Sequence, residues 1–297
     1  MAVSTARPWA VRQQRAVVSG KPRKGRQRRR RYAVTVVGIV VALLVNVPLL
    51  NALWTSIKTN GAISSAPTLL FTPTMSHYRT MWTSSLYNFP HYFLNSILLS
   101  AGSAALVLFV SVPASYSIVR LGFSGRKLLF AVGGIMLIPP ITFALPLYLL
   151  IQKAGFVDTV PALIVADGFV NLPLGLLLMC GFQRDMPVEI EEAGLVDGCS
   201  VYGALWRLVL PLMGPALASV AILTFMFSWD DYLFALILTA SNATPVTAGA
   251  ADFITSYGVQ WGNISAATFM SVIPPIVVGF LAQRYLIRGL TVGAVKG

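Results

Sequence analysis

Six stretches of nearly unbroken apolar residues run along the 297-residue chain, at positions 32–57, 93–119, 128–151, 162–182, 208–227 and 264–286, with shorter polar segments between them. At a rise of 1.5 Å per residue, each is long enough to cross a hydrocarbon core of ~30 Å as a helix. The pattern predicts an all-α polytopic membrane protein of six spans with both termini on one side. Prolines punctuate it, at Pro48, Pro113, Pro139-Pro140, Pro146, Pro173, Pro211, Pro215 and Pro274-Pro275. A proline inside a span frees a carbonyl that must find another partner, which suits moving parts and polar cavities, although membrane helices also carry proline as plain packing.

Composition agrees with this reading. With 56% apolar and 11% charged residues and a mean hydropathy of +0.73, the chain cannot cover itself as an ordinary soluble domain does. The net charge of +12 is local, because eleven of the 22 Lys and Arg residues precede Tyr32, where there is no acid. Residues 1–31 hold too little apolar surface to offset ordering entropy and are expected to form a disordered basic tail on the cytoplasmic side, drawn to anionic lipid rather than to nucleic acid. The basic region is too long, and the apolar stretch after it too extended, for a signal peptide. Placing the tail inside puts Arg120, Arg126, Lys127, Arg184, Arg207, Arg284, Arg288 and Lys296 on the same side, against Lys58, Arg79 and Lys153 outside. That asymmetry predicts an N-in/C-in orientation. Cys180 and Cys199 are expected as free thiols.

Catalytic constellations are missing from the pattern. His77 and His91 lie together in the first outer segment, remote from any cysteine or carboxylate pair, so no catalytic residue and no metal site is expected, and both read as interfacial side chains. Gly122-Phe-Ser-Gly-Arg-Lys127 lacks the spacing of a phosphate-binding loop, so ATP is not expected to bind this chain. Asp167 is the one acid expected inside a span, which disfavours a proton- or sodium-coupled carrier and suggests that energy comes from another subunit.

The inner segment 184–211 carries five of the ten acids, Asp185, Glu189, Glu191, Glu192 and Asp197. Asp185 can cap a helix, Pro187 suits its first turn, and Glu189 complements the positive end of its dipole. A helix over 187–196 follows, then a turn at Asp197-Gly198 with Gly198 at positive φ, and a second helix capped by Ser200 that runs toward Pro211. Ile190, Ala193, Leu195 and Val196 would form an apolar ridge rimmed by carboxylates, fit for a partner's groove. A solvated loop packed on its own spans is the other reading of these residues.

Glu192, Ala193, Asp197, Gly198, Leu210 and Pro211, with Trp206 in the aromatic position, resemble the cytoplasmic EAA loop of ATP-binding-cassette importer permeases. Gly194 and Cys199 depart from the usual alanines, and Gly194 should loosen the helix by about 1 kcal/mol relative to Ala. Asn95-Ser96, Ile138-Pro-Pro140, Leu145-Pro-Leu-Tyr148, Gly155-Phe-Val-Asp-Thr159, Trp229-Asp-Asp-Tyr-Leu-Phe234 and the terminal 283–297 extend the likeness, which is close to the MalG-type sugar permeases and spans residues 33–297.

The resemblance implies a type I importer permease (MetI-like) fold, with residues 32–297 forming the six-helix permease domain and 184–211 its coupling loop. It implies a multi-pass subunit of the bacterial inner membrane that carries a carbohydrate. The implied partners are a second homologous permease of MalF type, a dimeric ATP-binding subunit that holds the ATP and Mg, and an extracytoplasmic solute-binding protein. Glu192, Ala193, Gly194, Asp197, Gly198 and Pro211 would couple to the ATPase, and Gly293, Val295, Lys296 and Gly297 would reach its dimer interface. Trp229, Asp230, Asp231 and Tyr232, at the outer end of the fifth span, could meet sugar hydroxyls through rings and carboxylates, or could form an interfacial aromatic belt with a polar turn. An ion-coupled secondary transporter and a non-transport scaffold are the competing functions.

Overall fold

The computed structural model describes residues 24–65, 70–84, 87–122, 125–255 and 258–294. It is almost entirely helical, and the contacts divide it into two units, 1–50 and 51–297. The first unit holds α1 (Lys24–Val45) and the start of α2 (Val47–Ser56). The chain bends by 49° at Asn46, beside Pro48, whose ring cannot donate to the preceding turn. Asn46 Nδ2 adds a second bond to the Ala42 carbonyl at 2.8 Å, beside the one from its own N–H at 3.1 Å. Helix α1 begins at Lys24, so 24–31 are helical where the composition predicts disorder. The rest of the expected tail, 1–23, lies outside the described residues.

The second unit continues through α3 (Asn60–Ser64), α4 (Ser76–Thr83), α5 (Phe89–Val119), α6 (Gly125–Ile135), α7 (Ile141–Lys153) and α8 (Val160–Asp185). An elbow follows: α9 (Glu189–Val196), α10 (Val201–Ala204), a π-helical turn (Leu205–Val209) and α11 (Leu210–Leu212). After it come α12 (Gly214–Trp229), α13 (Leu233–Leu238), α14 (Val246–Gly249), a 3₁₀ turn (Ala250–Phe253) and α15 (Trp261–Ala294). Among the described residues, the all-α expectation is broken only by two-residue strands, β1 (Ile254–Thr255) and β2 (Gly258–Val259), paired antiparallel with Ile254 opposite Val259.

Among the described residues, α5, α8 and the first part of α15 are each long and apolar enough to cross a membrane, and five spans result if each bent pair counts as one. Two expected spans need correction. The third is two helices, because Pro139-Pro140 removes consecutive backbone donors between α6 and α7. The fifth starts at Gly214 rather than 208, since the chain turns by 77° between residues 201–212 and α12. Pro215 sits in the first turn of α12, where a missing N–H costs nothing.

α5 lies along α8 and α12, and α12 along α15. Val107, Met179, Leu205, Val209, Met213 and Val220 pack the half nearest the elbow. Leu99, Ala144, Leu163, Phe234 and Leu238 pack the opposite half, with a second group around Phe89, Met81, Trp229, Phe253 and Met270. Separate clusters of side chains thus pack the elbow end and the far end of the same helices.

Candidate functional site

The elbow is built by local chemistry. Helix α9 ends in a Schellman arrangement: Gly198 N–H donates to the Leu195 carbonyl at 3.1 Å and Cys199 N–H to the Gly194 carbonyl at 2.9 Å. Gly198 takes φ +89°, the left-handed conformation that the turn requires. Ser200 Oγ then accepts from Gly203 N–H at 3.1 Å and starts the next helix. The expected start is corrected. Asp185 is the last residue of α8 rather than a cap, and α9 begins at Glu189 behind Val188, which offers no capping side chain. Glu189, Glu191 and Glu192 all lie in its first turn, where the helix dipole favours anions.

The exposed face of the elbow carries the expected ridge. Glu192, Ala193, Asp197 and Gly198 are exposed, and so are Leu195 and Val196, the latter by 87%. Tyr202 and Trp206 extend the ridge, exposed by 73% and 56%. Pro211 is exposed as well. Several large apolar side chains exposed on one short elbow, among carboxylates, are the kind of surface that marks an interaction site.

What holds the strip in place was not expected. Arg120, at the end of α5, donates Nε–H to Glu191 Oε1 at 2.7 Å and Nη2–H to the Met186 carbonyl at 2.8 Å. Gln183 Nε2 reaches the same carboxylate at 3.5 Å. Glu191 is only 4% exposed. It shares the inner face of α9 with Gly194, three residues on, whose Cα faces the side chain of Leu208. A Cβ at Gly194 would fall 2.3 Å from Leu208 Cδ1. The departure from alanine is thus compensated across the elbow. We expect Gly194→Ala to change the thermal stability of the solubilised protein by under about 1 kcal/mol, because the helix-propensity gain is spent on moving a flexible leucine tip.

The other motifs converge at the opposite end. Asp158, at φ +61°, turns its carboxylate onto the loop after α13. Oδ1 accepts from Ala240, Asn242 and Ala243 N–H at 3.0, 3.1 and 3.0 Å. Oδ2 accepts from Ser241 and Asn242 N–H at 3.2 and 3.0 Å. Burial pushes this carboxyl up, but the backbone donors of Ala240, Asn242, Ala243 and Ser241 outweigh it and hold the pKa at about 2. Asn95 Nδ2 donates to the Asn242 and Thr244 carbonyls at 2.9 and 3.0 Å, and Ser96 Oγ accepts from Val246 N–H at 2.9 Å. His91 Nε2 lies 2.6 Å from the Asn242 carbonyl. His77 is buried, between Asn263 Oδ1 and the Lys58 carbonyl at 2.8 Å each. His77 is thus a buried side chain rather than an interfacial one, while His91 is half-buried.

The four expected substrate-path residues separate. Trp229 is buried, donates Nε1–H to the Ser271 carbonyl at 3.1 Å and stacks on Phe225 at 5.8 Å, with Phe93 at its edge. Asp231 Oδ2 caps α13, accepting from Phe234 and Ala235 N–H at 3.1 and 3.2 Å. Tyr232 is exposed and turned to the surface. Trp229 and Asp230, but not Asp231 or Tyr232, line a cavity of about 370 Å³ between the end of α12, α14 and α15. Asp167 is buried in α8 near Ser228 and Asp231. Of the expected C-terminal contacts, Gly293 falls in α15, while Val295, Lys296 and Gly297 lie outside the described residues.

Bent apolar helices with an exposed elbow suit a membrane transport subunit. Residues 112–292 match the binding-protein-dependent transport system inner membrane component family, and the chain belongs to it. It is 30% identical over 271 residues to the trehalose/maltose transport system permease protein MalG of Thermococcus litoralis, covering 90% of this chain and 98% of that protein. It is 32% identical over 268 residues to the trehalose transport system permease protein SugB of Mycobacterium tuberculosis, covering 87% and 96%. Its fold is like that of a chain in the crystal structure of a bacterial ABC transporter involved in the import of the acidic polysaccharide alginate. That likeness has a TM-score of 0.74 at 23% identity and covers 89% of this chain and 98% of that one.

Proposed function

We propose that this chain is one permease half of an ATP-driven, binding-protein-dependent carbohydrate importer of the bacterial inner membrane. The observation that carries the reading is the exposed elbow, a rigid apolar strip with acids beside it, in a chain similar over nearly its whole length to permeases named for trehalose and maltose. Six spans, N-in/C-in, place that elbow in the cytoplasm, with α6 and α7 together making the third. A second, MalF-type permease pairs with this one. A dimeric ATPase, which holds the ATP and Mg, receives the strip around Glu192, Ala193, Asp197, Gly198 and Pro211, while Gly194, expected there too, is buried behind it against Leu208, and Gly293 to Gly297 reach the ATPase dimer interface. A solute-binding protein delivers the sugar from outside, to the end where Trp229 and Asp230 line the cavity. The basic tail meets anionic lipid of the inner leaflet.

Closure of the ATPase dimer would move the strip. The elbow would move the cores that continue from it, because Leu205, Val209 and Met213 pack directly on Val107 and Met179. Chemistry stays on the ATPase, and this chain supplies the path.

Purification of the chain from native membranes should bring down an ATPase, a second permease and a binding protein, with hydrolysis raised by one saccharide. Recovery of the chain alone, moving solute with an ion gradient, would overturn the reading. Within the complex, Glu192→Lys is expected to lower uptake about tenfold or more, as one charge-assisted contact is reversed, with unchanged abundance in the membrane. Wild-type uptake would remove Glu192 from the coupling surface.

A further inference from the structure

The cavity at the end of α12 is an acceptor-only site. Thr247 Oγ1 donates to the Asp231 carbonyl at 2.6 Å, Thr268 Oγ1 to the Ile264 carbonyl at 2.7 Å, and Ser271 Oγ to the Ala267 carbonyl at 2.8 Å. The indole N–H of Trp229 is spent on the Ser271 carbonyl. Every side-chain donor on the wall is therefore committed, and each hydroxyl offers the cavity only lone pairs. Asp230 adds an exposed carboxylate that makes no hydrogen bond among the described residues. The rest of the lining is apolar, and no Lys, Arg or His is among the described residues that form it. Its volume of about 370 Å³ is in the range of small-molecule sites, ~300–1,000 Å³.

A wall of this kind requires donors from its ligand. Sugar hydroxyls supply them, and an ammonium group supplies them with charge complementarity. A carboxylate, sulfate or phosphate supplies acceptors where acceptors already stand. Brought within about 5 Å of Asp230 it would be disfavoured on the order of a hundredfold, for like charges at an effective dielectric of about 20. We propose that this cavity is a saccharide subsite that admits uncharged and amino-bearing sugars and rejects acidic ones, through Asp230 and the lone pairs of Thr247, Thr268 and Ser271. The proposal rests on the carbohydrate-importer reading and assigns its substrate class. It sets this chain apart from the alginate transporter whose fold it shares, whose substrate is an acidic polysaccharide. Trp229 lines the site but is no stacking platform, since its ring is almost fully buried between Phe225 and Phe93.

The test uses the source bacterium with the gene deleted and restored in wild-type or variant form. Uptake is measured for radiolabelled neutral disaccharides, polyols and amino sugars, and for uronates and phosphorylated or sulfated sugars. Deletion should abolish uptake of a neutral or amino-bearing saccharide and leave acidic ones unchanged. Asp230→Asn should lower that uptake about tenfold, the effect of one charge-assisted hydrogen bond, with the complex recovered from membranes in wild-type amount. Thr268→Val, which keeps the shape and removes the lone pairs, should lower it less. Loss of uptake of an acidic saccharide on deletion would overturn the proposal and leave the importer reading standing. Wild-type uptake in both variants would also overturn it. Deletion without effect on any saccharide would remove the importer reading, and the subsite with it.

Discussion

Glu191→Ala is expected to uncouple the transporter: uptake falls about tenfold or more while the chain still inserts. Removing one partner of a buried ion pair costs ~3–5 kcal/mol, and about 3 is appropriate here, because Arg120 keeps its bond to the Met186 carbonyl and lies at a helix end. The elbow would not unfold, since its Schellman turn and Ser200 cap are independent of Arg120. It would lose its fixed angle to α5. A loosened α9 can still dock on the ATPase but transmits less of its motion, so basal hydrolysis should persist while stimulation by the sugar-loaded binding protein falls. The exchange variant, Arg120→Glu with Glu191→Arg, separates positioning from mere damage. It should recover part of the coupling, though not all, because Gln183 and Tyr116 also face the Glu191 carboxylate and suit an acid there. An exchange no better than the single substitution would mean that the pair does not set the angle.

The parts of the elbow that were legible in the sequence are those whose causes are local. Asp197-Gly198 and Ser200 act on N–H groups within five residues of themselves, so the turn and second helix could be read directly. Glu191 acts on a residue 71 positions away, and in a helix crowded with acids charge and hydropathy do not separate the buried one from its exposed neighbours. The spacing to Gly194 was a usable signal, since a carboxylate three residues from a glycine shares a face that another element must approach. Hydropathy located five of the six apolar stretches on helices or bent pairs. It failed at 128–151, because summed hydropathy ignores the donors that Pro139-Pro140 remove, and at the start of the fifth, because it does not register the turn at Met213. The same limit separated Trp229 to Tyr232. Four consecutive residues at a helix end point in four directions, and sequence proximity does not say which two share a cavity. The Asn95-Ser96 and Gly155-Phe-Val-Asp-Thr159 motifs could be quoted only as likeness. Their cause is the loop 239–246, which lies about 80 residues from Asp158 and 150 from Ser96.

That loop gives the second large effect. Asp158→Ala should lower stability by about 2–3 kcal/mol: Ala243 N–H loses its acceptor, and removing a hydrogen-bonded partner of a charged group costs ~1.5–3 kcal/mol. Ser241 and Asn242 are exposed, so water recovers part of what their N–H groups lose. The φ of +61° sets the order among replacements. Asn tolerates the left-handed region and retains one carbonyl oxygen, so Asp158→Asn should be mildest. Gly accepts the conformation without replacing the acceptor, and Ala does neither, because a β-carbon there costs roughly 1–2 kcal/mol. The carboxylate also predicts the response to acid. Its folded pKa of about 2 lies below the ordinary 3.8, so the clasp contributes fully above about pH 4 and is lost as pH falls toward 2. Thermal unfolding of the solubilised protein at pH 8 and pH 5 should give the same contribution from Asp158, taken as the difference between wild type and Asp158→Asn. That difference should shrink between pH 4 and pH 2.5. A constant difference across that range would mean that the N–H groups of 240–243 do not hold the charged form. The wall of the cavity would move with the loop, because Thr247 follows it directly on α14 and donates to the Asp231 carbonyl. Asp158→Ala should therefore weaken sugar uptake as well as stability, whereas Asp230→Asn should weaken uptake alone.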